Sequence, residues 1–132
     1  MELAHHVYTS LFGGRLYFAP LRTLNRVLDI GTGTGHWAID FADTHQDTSI
    51  IGTDISPIQP SWSPPNVSFE IDDAESDWNF ANNSFDYIHF RHLIGSIADW
   101  PRLIKQSYEY VSFSPFLYFP TPPRPYPATA DA

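Results

Sequence analysis

The sequence predicts an α/β fold in which helices cover a parallel β-sheet. Short apolar segments rich in β-branched residues alternate with a segment of helical periodicity, as in strand–helix–strand units. A run of glycines directly follows the first apolar segment. Crossovers between parallel strands are right-handed, and such sheets bind ligands beyond the carboxyl ends of their strands. The polar residues that follow each predicted strand are therefore the candidates for function.

Four segments have the pattern of strands. Residues 27–30 (VLDI) are short, apolar and β-branched and run into glycines, which predicts a buried strand. Residues 49–54 (SIIGTD) predict a second strand, and the alternation in residues 67–71 (VSFEI) predicts a third. Residues 84–90 (SFDYIHF) predict the fourth.

Helices are predicted after the first and the fourth strands. Residues 35–44 place a stripe of apolar side chains on one helical face, namely Trp37, Ala38, Phe41 and Ala42. Asp99 is suited to cap a last helix that has Pro101 in its first turn. The buried face of this helix is expected to hold Leu103, Ile104, Tyr108 and Val111. A cluster of prolines excludes a long helix between the second and third strands: Pro57, Pro60, Pro64 and Pro65.

These patterns divide the chain into three regions. Residues 1–25 predict an N-terminal helical lead-in, and residues 26–111 contain all the predicted strands. Residues 112–132 hold six of the 12 prolines. Proline fixes φ and removes a backbone donor, so this region is expected to be a tail without interior helix or central strand.

Composition excludes several classes of function. The chain has 7 Lys and Arg against 15 Asp and Glu, a formal net charge of −8. Nucleic-acid binding needs a basic surface, so no nucleic-acid partner is expected. Without cysteine there is neither a disulfide scaffold nor a thiolate site, and no metal site is expected. Apolar runs stay short of the ~20 residues of a spanning helix, and a secretory signal pattern is lacking. We expect no membrane partner and a cytoplasmic or nuclear location.

The strongest motif is the glycine loop of residues 29–35 (DIGTGTG). It joins a predicted strand to a predicted helix, where glycines allow close approach of a ligand and the helix offers unpaired N–H groups. Asp54, at the end of the next strand, is positioned to bind ribose hydroxyls. The motif therefore predicts a nucleotide-like ligand.

Two ligand classes suit this geometry, a nicotinamide dinucleotide and S-adenosylmethionine. Asp29 would repel a pyrophosphate and would suit a cationic methionine group. The dinucleotide pattern also needs its third glycine one place later, where this chain has His36. These features favour S-adenosylmethionine.

Several linked segments resemble one protein family. They are residues 27–35 (VLDIGTGTG), 37–42 (WAIDFA), 52–60 (GTDISPIQP), 69–75 (FEIDDAE) and 85–93 (FDYIHFRHL). Together they resemble the fungal LaeA-like group of class I S-adenosylmethionine-dependent methyltransferases, which are regulators of secondary metabolism. The resemblance extends over residues 3–109. It implies a Rossmann-like sheet with strand order 3-2-1-4, an unidentified methyl acceptor and regulatory protein partners.

The resemblance also implies roles for particular residues. The implied cofactor-binding residues are Asp29, Gly31, Thr32, Gly33, Gly35, Asp54, Ile55, Asp73 and Ala74. Those of the glycine loop would hold the methionine part and Asp54 would bind the ribose. Ile55 would pack on the adenine, Asp73 would accept from its amino group, and the Ala74 N–H would face the ring. The implied catalytic candidates are Arg91 and His92, which would border the reactive methyl group. The neighbouring acids Asp72, Glu75 and Asp77 are expected to be a solvated loop.

The resemblance ends before the tail. Class I members continue with a fifth strand after this last helix, introduced by a turn that this sequence lacks. The fourth strand would then be an exposed edge. We expect a truncated form whose cofactor-binding half is intact and whose turnover is low or absent. The alternative is a non-catalytic fragment or interaction module that has lost the activity.

The tail offers one substitute for the missing strand. Its apolar residues at 113 and 116–119 can supply about four residues of pairing, which Pro115 and Pro120 restrict.

Overall fold

A computed structural model describes residues 24–90, 93 and 95–111. Its elements are β1 (Arg26–Ile30), α1 (His36–Thr44), β2 (Ser49–Asp54), β3 (Val67–Ile71), β4 (Tyr87–Phe90) and α2 (Trp100–Tyr110). The first three strands and α1 agree with the sequence prediction. The predicted tail, Arg91, His92 and nearly all of the predicted N-terminal lead-in lie outside the described residues.

The strands form one parallel sheet in the order β3-β2-β1-β4. This is the order expected from the resemblance. Ile30, the last residue of β1, is in register with Thr53 of β2 and with Phe90 of β4. The carboxyl ends of these strands therefore meet at one edge, where the glycine loop begins.

Each face of the sheet is covered by a core cluster. On one face Val27 and Ile50 pack with Trp37 and Phe41 of α1. On the other face Leu28 and Ile88 pack with Leu103 of α2. Burial on both faces explains why β1, after its exposed first residue Arg26, is apolar except for Asp29.

The predicted buried face of α2 was partly wrong. Leu103 is buried, but Ile104 is 40% exposed and Tyr108 is 74% exposed. Gln106 and Ser107 are buried instead. Residues at i, i+3 and i+4 share one helical face, and here that face contains two polar residues because they bond to backbone carbonyls.

The segment just before β4 is paired with the end of α2. Val111, directly after α2, forms a parallel bridge with Phe85. The backbone N–H of Phe85 donates to the carbonyl of Tyr110 at 3.1 Å. This pairing lies before Tyr87, so the exposed edge expected for Tyr87–Phe90 stays a prediction.

Candidate functional site

The glycine loop folds tightly over the ends of β1 and β2. The backbone N–H of Thr32 donates to the carbonyl of Thr53 at 2.9 Å, and Gly35 N–H donates to the carbonyl of Thr32 at 2.9 Å. Gly31 adopts φ +67°, and a Cβ there would lie 2.5 Å from Leu93 Cδ2. A side chain at Gly31 would therefore be strained and would collide with the opposite wall.

Asp54 ties the loop to the end of β2. Its Oδ2 accepts a hydrogen bond from the N–H of Gly33 at 2.8 Å. Its Oδ1 accepts from the N–H of Ser56 at 2.9 Å. The carboxylate thus fixes both the loop that precedes α1 and the turn that follows β2.

A cavity of about 240 Å³ opens beside these groups. Predicted site residues that line it are Gly31, Asp54, Ile55, Asp73 and Ala74. Other residues also line it: Ile30, Thr53, Ser56, Asp72, Leu93, Ser96 and Ile97. Asp72 was expected in a solvated loop. The last three come from the loop after β4, and none of them was assigned a ligand role.

The remaining predicted residues that the structure describes are Asp29, Thr32, Gly33 and Gly35, and they do not line the cavity. Asp29 is 3% exposed and lies behind the loop. Thr32 Oγ1 donates to Asp29 Oδ2 at 2.7 Å, and the Gly33 carbonyl accepts from Gln59 Nε2 at 2.7 Å. A contact between Asp29 and the methionine part of a cofactor stays a prediction. Arg91 and His92 lie outside the described residues.

A turn after β3 presents Asp73 and Ala74 to the cavity. Asp73 is exposed, and its Oδ1 accepts from the N–H of Glu75 at 2.9 Å. The carbonyl of Ala74 accepts from the indole N–H of buried Trp78 at 3.0 Å. The turn is therefore held from the core side and open on the cavity side.

Glu75 was expected in a solvated loop, and the structure corrects this. Its Oε1 accepts from the N–H groups of Ala98 at 2.7 Å and Asp99 at 3.0 Å. Arg102 Nη1 donates to the carbonyl of Glu75 at 2.6 Å. These bonds join the turn after β3 to the start of α2, so they connect two walls of the cavity. The partners are more than twenty residues away in sequence, and only the fold brings them together.

The described residues offer neither a metal site nor a membrane-spanning helix. In the ranges that the structure describes, no three His, Asp or Glu side chains converge as metal ligands. The helices of this same part of the chain are too short to cross a membrane.

Comparison with known proteins agrees with the fold. A family model described as a methyltransferase domain matches residues 3–127. The chain belongs to the methyltransferase domain family. The predictions of this family and of a Rossmann-like fold are thereby confirmed.

Individual relatives of this methyltransferase-domain chain are much longer. It is 50% identical over 113 residues to methyltransferase pytC of Aspergillus terreus, covering 84% of this chain and 35% of that protein. It is 37% identical over 116 residues to the secondary metabolism regulator LAE1 of Cochliobolus heterostrophus, covering 84% of this chain and 38% of that protein. The chain thus spans little more than a third of these relatives.

A solved structure shows the same fold around the methyl donor expected from the sequence. It is phosphoethanolamine N-methyltransferase 2 of Haemonchus contortus in complex with S-adenosyl-L-methionine. The TM-score is 0.60 and the identity 29%, over 72% of this chain and 24% of that one.

The described residues fit this cofactor in part. An ionised carboxylate has about four acceptor positions, and Asp54 uses two of them for backbone N–H groups. Acceptor positions therefore stay available for a pair of hydroxyls. Ile55 is 69% exposed and lines the cavity, so it offers apolar surface to an aromatic base. The 240 Å³ volume is below the ~300–1,000 Å³ of typical ligand pockets. The cavity that the described residues form is therefore large enough to enclose only part of the cofactor.

Proposed function

We propose that this chain binds S-adenosylmethionine at the carboxyl edge of its sheet and is the donor-binding part of a methyltransferase. The observation that carries the proposal is the position of Asp54. Its carboxylate holds Gly33 of the glycine loop and also lines the cavity. One acidic group at the end of β2 therefore both shapes the loop and faces the ligand.

The two ends of the cavity suit different parts of the ligand. Asp54 would accept hydrogen bonds from the ribose hydroxyls, and Ile55 would pack against the adenine. Asp73 would accept from the adenine amino group, beside the backbone of Ala74. The bound cofactor would supply an activated methyl group, and the residues of this chain would bind and orient it.

The acceptor side is a separate expectation. Arg91 and His92, which follow β4 in sequence, are the residues we expect to border the methyl group. The acceptor is unidentified, and regulatory protein partners and a cytoplasmic or nuclear location remain predictions. We expect little or no turnover from this chain alone; methylation of any acceptor by the purified chain contradicts that expectation.

Calorimetric titration with S-adenosylhomocysteine tests the binding proposal. We expect saturable binding by the unmodified chain. Asp54→Ala removes the carboxylate that would accept two hydrogen bonds from the ribose hydroxyls. A hydrogen bond to a charged group contributes ~1.5–3 kcal/mol. Because 1.4 kcal/mol is a factor of ten, the affinity should fall by at least about tenfold.

Asp47→Ala is the matched control. Asp47 is an exposed aspartate that precedes β2, at the opposite edge of the sheet. The Asp47→Ala variant should bind S-adenosylhomocysteine with the same affinity as the unmodified chain. No binding by a folded chain, or preferred binding of a nicotinamide dinucleotide, would overturn the proposal. A non-catalytic fragment would then be the better interpretation.

A further inference from the structure

A buried histidine lies behind the glycine loop. His89 of β4 is 4% exposed, and its Nδ1 is 3.0 Å from Oδ1 of Asp29 on β1. Its imidazole stacks on the indole of Trp37 from α1, with the ring centroids 3.7 Å apart and the planes 4° from parallel. Elements from both sides of the loop therefore hold this ring in one orientation.

The contact with Asp29 bears on which imidazole nitrogen carries hydrogen. A carboxylate in its ionised form only accepts hydrogen bonds, and Nδ1 of His89 is then the donor. The other oxygen of Asp29 accepts from Thr32 Oγ1 at 2.7 Å. Each carboxylate oxygen therefore has a donor, one from the core and one from the glycine loop.

Thr32 transmits this arrangement to the loop backbone. Its N–H donates to the carbonyl of Thr53 at 2.9 Å, and the next N–H, of Gly33, donates to Asp54 Oδ2 at 2.8 Å. The position of Asp29 thus influences the peptide that precedes the Gly33 nitrogen. A buried carboxylate that loses a donor is costly and moves or seeks another partner, so removing His89 would displace the loop.

We propose that His89 is a positioning residue for the cofactor loop and acts through Asp29. The role rests on the proposed function, because the loop is the proposed cofactor site. His89 does not line the cavity. Its effect on a ligand is therefore indirect, through the Asp29 and Thr32 hydrogen bonds.

A pair of substitutions separates the hydrogen bond from packing. His89→Leu fills the site and removes the donor, and His89→Asn places an amide donor near the position of Nδ1. We expect His89→Leu to weaken binding of S-adenosylhomocysteine by about tenfold or more, as loss of a buried hydrogen bond to a charged group does. His89→Asn should recover most of the affinity. Equal affinities for the two variants would overturn the proposal.

Ile88→Val is the matched control for stability. Ile88 is the adjacent buried residue of β4 and packs on the opposite face of the sheet. This variant should lower the melting temperature and leave the affinity unchanged at a temperature where the chain is folded. If Ile88→Val weakens binding as much as His89→Leu does, the role of His89 is merely structural.

Two measurements on the ligand-free protein keep this proposal distinct from the proposed function. Nitrogen-15 NMR of the unmodified chain should show hydrogen on Nδ1 of His89. Amide exchange at Gly33 should be faster in His89→Leu than in Ile88→Val. If the chain does not bind S-adenosylhomocysteine, the proposed function fails and these results still decide the role of His89. The proposed role of His89 is overturned if Nδ1 carries no hydrogen. It is also overturned if amide exchange at Gly33 is no faster in His89→Leu than in Ile88→Val.

Discussion

The ring of Phe69 on β3 lies directly against Gly35, the last residue of the glycine loop. A Cβ on Gly35 would be 2.4 Å from Cζ of Phe69, and Gly35 adopts φ +82° at the cap of α1. Phe69 also limits Gly52 of β2, where a Cβ would lie 2.8 Å from its Cδ1. The side chain of Phe69 thus leaves no room for a Cβ at two positions, Gly35 at the end of the loop and Gly52 of β2.

Gly35→Ala should therefore destabilise the fold. Positive φ costs an alanine ~1–2 kcal/mol, and overpacking costs about 1–3 kcal/mol more. We expect the free energy of unfolding to fall by about 2–5 kcal/mol, measured by denaturant titration.

Gly95→Ala separates the two costs. Gly95 has φ +81°, nearly the value of Gly35, but no atom of the described residues lies within 4 Å of its added Cβ. It should show only the conformational cost of ~1–2 kcal/mol. Equal losses in both variants would mean that Phe69 moves away without cost.

The strands were predictable because their signals are local. Residues 49–54 and 67–71 contain their own apolar and β-branched patterns, and their observed bounds agree. The start of β4 was less predictable, since Phe85 has strand-like composition but pairs only through one bridge. That pairing depends on Val111, which α2 carries into position.

The site was predictable where its signal is a motif. Gly31, Asp54 and Asp73 follow strand ends, and the structure brings them to one cavity. The roles of Glu75 and His89 were not predictable, because each depends on a partner in another element. Sequence spacing carries no information on such contacts until the sheet order and register are known.

Glu75→Ala should weaken both the fold and the cofactor site. The variant removes the acceptor for the N–H groups of Ala98 and Asp99. Hydrogen bonds to charged groups contribute ~1.5–3 kcal/mol each in favourable cases. We expect a loss of about 1.5–3 kcal/mol in unfolding free energy and weaker binding of S-adenosylhomocysteine.

Asp77→Ala provides the comparison for Glu75. Asp77 also contacts α2, through Arg102 Nη2 at 2.6 Å, but its side chain is 96% exposed. Exposed ion pairs add little to stability, so this variant should stay close to the unmodified chain. If Asp77→Ala is as damaging as Glu75→Ala, general loss of negative charge explains both results.

If the chain continued to pair beyond Val111, its bridge with Phe85 would fix which of residues 112–116 bond toward β4. Along each strand of a parallel pair, successive residues alternate. One residue bonds to the partner strand through both its N–H and its C=O, and the next points both groups away from that strand. Since Phe85 N–H donates to the carbonyl of Tyr110, continued pairing would use the N–H groups of residues 112, 114 and 116. Pro115 would then have its nitrogen on the outer side, where proline is tolerated and protects an edge.

The substitute strand that the sequence leaves open can be tested here, because pairing of residues 112–116 with β4 would use the N–H groups of Tyr87 and His89. Ser114→Pro removes a required donor and should speed amide exchange at Tyr87 and His89. Pro115→Ala should not, because position 115 donates nothing to β4. The amide of Ile88 faces β1, so its exchange should change least in either variant. Equal exchange in Ser114→Pro and in the unmodified chain would show that the tail does not pair with β4.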